Sequence, residues 1–211
     1  MPIYALGDVE PDIDPDAFVH PDATIIGNVT VGPESTVWPH AVLRGDYGYI
    51  TVGARTSIQD GAVLHCTADY PTIVGDDCVV GHLAHLECCT VHDRALVGTG
   101  SIVLHRAVVE SGALVGAGAV VPNDMLVPSG ALALGIPAKL RPDAADRDDI
   151  MRIACLYVAN AKRYREELRL LGLRARVNPS RTRTSRRPCR RARVTRRRRA
   201  PRRCCRRRSS T

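Results

Sequence analysis

Aromatic residues are scarce. They make up 4% of the 211 residues, with one Phe (Phe18) and one Trp (Trp38). A core must therefore be built from Val, Ile, Leu and Ala, within a hydrophobic content of 45%. No apolar stretch approaches the ~20 residues of a membrane-spanning helix, so no membrane association is expected. The opening M-P-I-Y-A-L-G-D-V-E has neither the basic start nor the apolar run of a secretory signal. None of the eight cysteines forms a C-x-x-C pair. Reduced thiols in a cytoplasmic protein, acting as small apolar filler, are the expectation.

Acidic residues and lysine are missing from the C-terminal end. Residues 174 to 211 hold 18 Arg, no Lys and no acid, leaving 12 basic residues against all 22 acidic ones, a net of −10, for the body. The sequence pI of 9.3 describes neither part. The tail, residues 173–211, has the composition of a disordered segment. Its R-R-R-R run could bind phosphates by counterion release. The tail lacks aromatics for base stacking, which favours a segment without a selected role, and no nucleic-acid partner is expected for the rest of the chain.

What is present is a repeat. Aliphatic residues recur at Ile26, Val31, Val37, Leu43, Val52, Ile58, Leu64, Val74, Val80, Leu86, Val91, Val97, Val103, Val109, Val115 and Val121, mostly six apart. A small residue stands two places before most of them, as at Ala41, Ala62, Ala84, Ala107 and Ala119. An amphipathic helix needs a period of 3.6, and sandwich strands recur every 8 to 12 residues. A period of six fits a short strand plus a corner, stacked coil on coil to bury one aliphatic column. Glycines at many corners (Gly27, Gly32, Gly53, Gly75, Gly81, Gly98, Gly116) are expected to supply unusual dihedrals. Two longer steps, G-D-Y-G-Y and C-T-A-D-Y-P, read as loops that project. The expected organisation is an extended lead-in over 1–23, an all-β parallel β-helix over 24–140, a helix over 146–172 and the tail. That helix presents Ile150, Ile153, Tyr157, Ala161, Tyr164, Leu168 and Leu171 on one face, with acids in its first turn and Gly172 as its stop.

Polar residues of chemical interest fall in V-L-R-G-D (42–46), S-I-Q-D-G-A-V-L-H (57–65) and V-V-G-H-L-A-H-L-E (79–87). His65 follows the core residue Leu64, and Glu87 follows the core residue Leu86. They share a phase of the coil and should lie one above the other. His82 lies at a neighbouring edge. Two histidines and a glutamate with an open position form a catalytic zinc set.

In R-G-D (44–46), Q-D-G-A-V-L-H (59–65), G-H (81–82) and G-I-P-A-K (135–139), the chain resembles the γ-class carbonic anhydrases and their carbonic-anhydrase-like relatives over roughly residues 8 to 172. The resemblance implies a left-handed β-helix with a C-terminal helix, assembled as a homotrimer. It implies a metal between subunits, Zn2+ or else Fe2+ or Co2+, and reversible hydration of CO2 to bicarbonate. By the same resemblance His65 and residue 87 come from one subunit and His82 from its neighbour. Gln59 matches the residue that orients the reacting water, with Asp60 beside it, and Arg44 and Asp46 match a pair that ties subunits together. The family's third ligand is usually His, where this chain has Glu87. His85 is the runner-up, offset by two residues. Tyr47 and roughly Ala68 stand where the family has acids. The competing functions are a hexapeptide acyltransferase or thioesterase acting on a CoA ester, with His105 unassigned, and a non-catalytic trimeric scaffold.

Overall fold

The computed structural model describes residues 2–171, so the Arg-rich tail and Gly172 lie outside the described residues. The coils and the helix fall within the unit Met1–Arg169; of the second unit, Leu170–Thr211, only Leu170 and Leu171 are described. The architecture is a left-handed parallel β-helix of about seven turns followed by one helix.

Each coil contributes one short strand to each of three faces. The first face holds the leading half of Thr24–Val31, the leading half of Val42–Val52, then Val63–His65, His85–Glu87, Ile102–Val103 and Val120–Val121. The second face continues the two long strands and adds Thr72–Val74, Thr90–Val91, Val108–Val109 and Leu126–Val127. The third face runs from Phe18–Val19 through Thr36–Val37, Ser57–Ile58, Val79–Val80, Leu96–Val97 and Leu114–Val115 to Leu132–Leu134. Lys139–Arg141 closes that face as its antiparallel edge.

Parallel pairing in exact register stacks like on like. The first face places Ile25, Leu43, Leu64, Leu86, Val103 and Val121 in one column, and all six are fully buried. Ile25, and not Ile26, occupies this column, so the step to Val31 is six residues. Ile26 faces outward and pairs with Arg44. The small residues fill the coil beside the large ones: Ala41, Ala62, Ala84 and Ala107 are buried. Where the small residue is polar it is satisfied locally. Thr56 Oγ1 donates to the Gly75 carbonyl (2.7 Å) and accepts from the Cys78 amide (3.0 Å).

Of the corner glycines, Gly27 (φ 72°) supplies the unusual dihedral as expected, but others serve a different purpose. Gly53 and Gly81 have ordinary φ, but a Cβ there would meet the backbone of the next coil, Gly75 C and Thr99 N, at 2.7 Å. The left-handed residue lies two places later, at Arg55 (φ 53°) and Leu83 (φ 58°). Glycine is needed at these corners for the close approach of coils.

The lead-in is already coil. Asp12–Ile13 pairs with Thr30 and Val31, and Phe18–Val19 pairs with Thr36 and Val37. The helix spans Arg147–Glu167, capped by the Asp146 carboxylate, which accepts from the Asp149 amide (3.0 Å). It ends before Leu168 and Leu171, which are exposed. It packs on the third face against Thr36–Val37, Ser57–Ile58 and Val79–Val80. Here the few aromatics are concentrated: the Trp38 ring lies 4.9 Å from Tyr164 and 5.6 Å from Tyr157, both edge-on, with Phe18 5.5 Å away. Among the described residues no helix is long and apolar enough to cross a membrane.

Candidate metal centre

The register builds the site. Arg44 pairs with His65, and His65 with Glu87, so three polar residues stand in a column just past the buried Leu43, Leu64 and Leu86. Side chains alternate along a strand, so this column faces outward wherever its neighbour faces the core. It lies at the corner between the first and second faces. The loop 46–49 swells out there, since Gly27 pairs with Gly45 but Val29 pairs with Ile50. The second inserted loop, 66–71, stacks upon it, with Gly48 so close to the Thr67 carbonyl that no Cβ would fit.

His65 is held between two carboxylates. Its Nε2 is 3.1 Å from Asp46 Oδ1, and its Nδ1 is 3.4 Å from Glu87 Oε1. Asp46 also takes a hydrogen bond from Arg44 within the same chain. Glu87 Oε2 accepts from His85 Nε2 at 3.1 Å, and His105 Nε2 lies 3.9 Å from Glu87 Oε1. Burial pushes the Asp46 carboxyl up, but hydrogen bonds from Arg44 and His65 outweigh it and leave it below the ordinary carboxylate range. The hydrogen bond from His85 holds Glu87 below that range too, against its burial and with help from His65 and His105. Both acids are thus ionised in neutral solution.

The other site candidates stand at a different corner, between the third and first faces. His82 Nδ1 is 2.8 Å from Asp60 Oδ2, and both are about half exposed. Gln59 is buried beside them. Burial and the charge of Asp60 raise the Tyr157 phenol of the docked helix, while a hydrogen bond with Gln59 opposes them. The fold therefore gathers Arg44, Asp46, His65 and Glu87 at one corner and Gln59, Asp60 and His82 at another. Among the described residues no single-chain group of three or more His, Cys, Asp or Glu side chains is arranged to hold a metal.

Two contacts were not anticipated from the sequence. Asp46 reaches His65 across the base of an inserted loop. His105 comes within 3.9 Å of Glu87 although the coil from Leu86 to Val103, at 17 residues, leaves it one place past Glu87's column.

No family model matches the chain. Curated relatives do match. The chain is 43% identical over 165 residues to a carbonic anhydrase of Geobacillus kaustophilus, covering 77% of this chain and 91% of that one. It is 38% identical over 146 residues to the carnitine operon protein CaiE of Escherichia coli, covering 69% and 74%. The chain belongs to the γ-class carbonic anhydrase-like family of hexapeptide-repeat proteins. Solved hexapeptide-repeat structures match as well. A hexapeptide transferase family protein from Anaplasma phagocytophilum superimposes with a TM-score of 0.74 at 36% identity, covering 77% of this chain and 98% of that chain. A Bacillus cereus chain described as a candidate acetyltransferase gives a TM-score of 0.75 at 39% identity, covering 78% and 96%. The activities named for these similar proteins differ, so the likeness does not choose the reaction.

Proposed function

We propose that this protein is a metal-dependent enzyme of the carbonic anhydrase type, acting on CO2 and bicarbonate, with sites formed between copies of a homotrimer. The observation that carries this reading is the opposition of His65 Nδ1 and Glu87 Oε1 at 3.4 Å. A neutral imidazole that donates to Asp46 through Nε2 has only a lone pair left at Nδ1. That lone pair and the facing carboxylate oxygen can share a cation, in place of the ring proton through which His65 otherwise helps hold Glu87 low. Two donors bound at about 2.0–2.1 Å to a tetrahedral ion are roughly 3.3 Å apart, so the spacing suits Zn2+. Fe2+ or Co2+ would be bound by the same imidazole and carboxylate donors.

His65 and Glu87 would hold the ion from one subunit, and His82 from the corner of a neighbour would complete the set. The register favours Glu87 over His85, because His85 pairs with Val63, one column away from His65. A bound divalent ion supplies Lewis acidity and lowers the pKa of water. Asp46 fixes the tautomer and orientation of His65. Gln59, tied to Tyr157 and carried on the same corner as His82, would orient the reacting oxygen, with Asp60 holding His82. Arg44 holds Asp46 and, on the subunit-contact reading, stands at the edge where copies meet. Five free cysteines among the described residues suit a reduced, cytoplasmic setting.

A second reading, acyl transfer on a CoA ester, is favoured by the two transferase-named structures. Against it, His105, the unassigned base, is drawn into the Glu87 cluster. Metal content, solution mass and CO2 hydration from about pH 6 to 9 test the proposal together. A metal-loaded trimer with hydration activity is the expected result. A metal-free protein without hydration activity that acetylates an amine from acetyl-CoA would overturn it.

A further inference from the structure

Glutamate is a loose donor. It has three side-chain torsions where histidine has two, so a glutamate in a ligand position needs an outside hold to keep one oxygen on target. The chain supplies that hold from the same strand. His85 and Glu87 are two residues apart on His85–Glu87, so their side chains leave the same face. Register places His85 between Val63 and Ile102 of the flanking coils, so its ring is flanked by aliphatic side chains. From there its Nε2 meets Glu87 Oε2 at 3.1 Å, while Oε1 is left towards His65.

We infer that His85 is a positioning residue for Glu87: its Nε2–H holds one carboxylate oxygen so that the other stays directed at His65. The inference rests on Glu87 being a metal donor, as proposed above. It gives His85 a role that does not require it to touch the ion. The imidazole works as a hydrogen-bond donor anchored between two aliphatic neighbours, and Glu87 binds through one oxygen.

Substitutions at position 85 separate these roles. Leucine continues the aliphatic column of Val63 and Ile102 and removes the donor. Glutamine puts an amide N–H near the position of the imidazole Nε2. With full-length trimer and Co2+ as the probe, chelator competition should show His85→Leu weakening binding by about 10- to 100-fold, the range for lost outer hydrogen bonds to metal ligands. His85→Gln should return affinity to within about three-fold of wild type and restore the wild-type Co2+ visible spectrum. In a Glu87→His background, His85→Leu should change neither affinity nor spectrum, because no carboxylate remains to be held. If Leu and Gln both strip the metal, His85 is itself a ligand and the inference is wrong. If His85→Leu binds Co2+ like wild type, no positioning exists. Failure of the underlying reading looks different: wild type takes up neither Co2+ nor Zn2+, or Glu87→Gln binds Co2+ as tightly as wild type. Either result overturns the donor role of Glu87 and the inference with it.

Discussion

Glu87 stands one coil above His65 in the same outward column, its Oε1 3.4 Å from the His65 Nδ1. A strand register thus places an acid against an imidazole where the family resemblance implies two histidines, and the consequence is chemical. A carboxylate donor lowers the effective charge of a bound divalent ion more than an imidazole does.

Glu87→His should therefore raise CO2 hydration near neutral pH. The gain should be about ten-fold for each unit by which the pKa of bound water falls towards 7. Stopped-flow hydration rates normalised to metal content check this. An unchanged rate at unchanged metal content counts against the proposed donor set.

Leu64 is fully buried between Leu43 and Leu86 in the first-face column. Neighbouring coils cannot collapse into the gap without breaking register, so Leu64→Ala should cost about 2–5 kcal/mol. Val63→Ala, one residue earlier on the outward face, should cost well under half of that. Denaturant unfolding followed by circular dichroism compares the two.

Burial pushes the thiols of Cys78 and Cys89 up to about 12. The unfolded chain ionises near pH 8.5, so above that pH the native state binds more protons and stability falls as pH rises towards 12. Cys78→Ala should flatten part of that alkaline decline. In native protein at about pH 8.5, iodoacetamide should modify the exposed Cys155 while Cys66, Cys78, Cys88 and Cys89 react only after unfolding. Peptide mapping of residues 2–171 reads the result.

Trp38 is the chain's single tryptophan and is nearly covered by Tyr157 and Tyr164 of the helix. Tyr164→Ala should red-shift its emission and cost about 0.5–1.5 kcal/mol beyond the lost apolar area. It should also loosen the helix that carries Tyr157 against Gln59. A spectrum identical to wild type would show that the helix does not cover this ring in solution.

The fold was legible because a period of six fits neither the 3.6-residue turn of an amphipathic helix nor the wider spacing of sandwich strands. The buried columns from Leu43 onward follow that period directly. The pattern failed where binary hydrophobicity is silent. Ile25 and Ile26 are both aliphatic, and only pairing with Leu43 shows that Ile25 points inward. The lead-in E-P-D-I-D-P-D reads as an extended segment outside the repeat because its outward positions are acids and prolines. Its few inward side chains gain a partner only once the strand Thr24–Val31 and the third face are in place.

The sequence by itself determined the β-helix, the aliphatic core and the shared phase of His65 and Glu87, since residues that each follow a core leucine stack in space even where an inserted loop lengthens the coil between them. Only the tertiary structure decided that Asp46 and His105 join them, that His85 grips Glu87 from one column away, and that Gln59 and Asp60 share the neighbouring corner read for His82. Those contacts depend on a swollen loop, on His105 reaching back from one place off the column and on a helix folding back onto the third face. Each of these breaks the repeat, so the periodicity that reveals the core does not locate them.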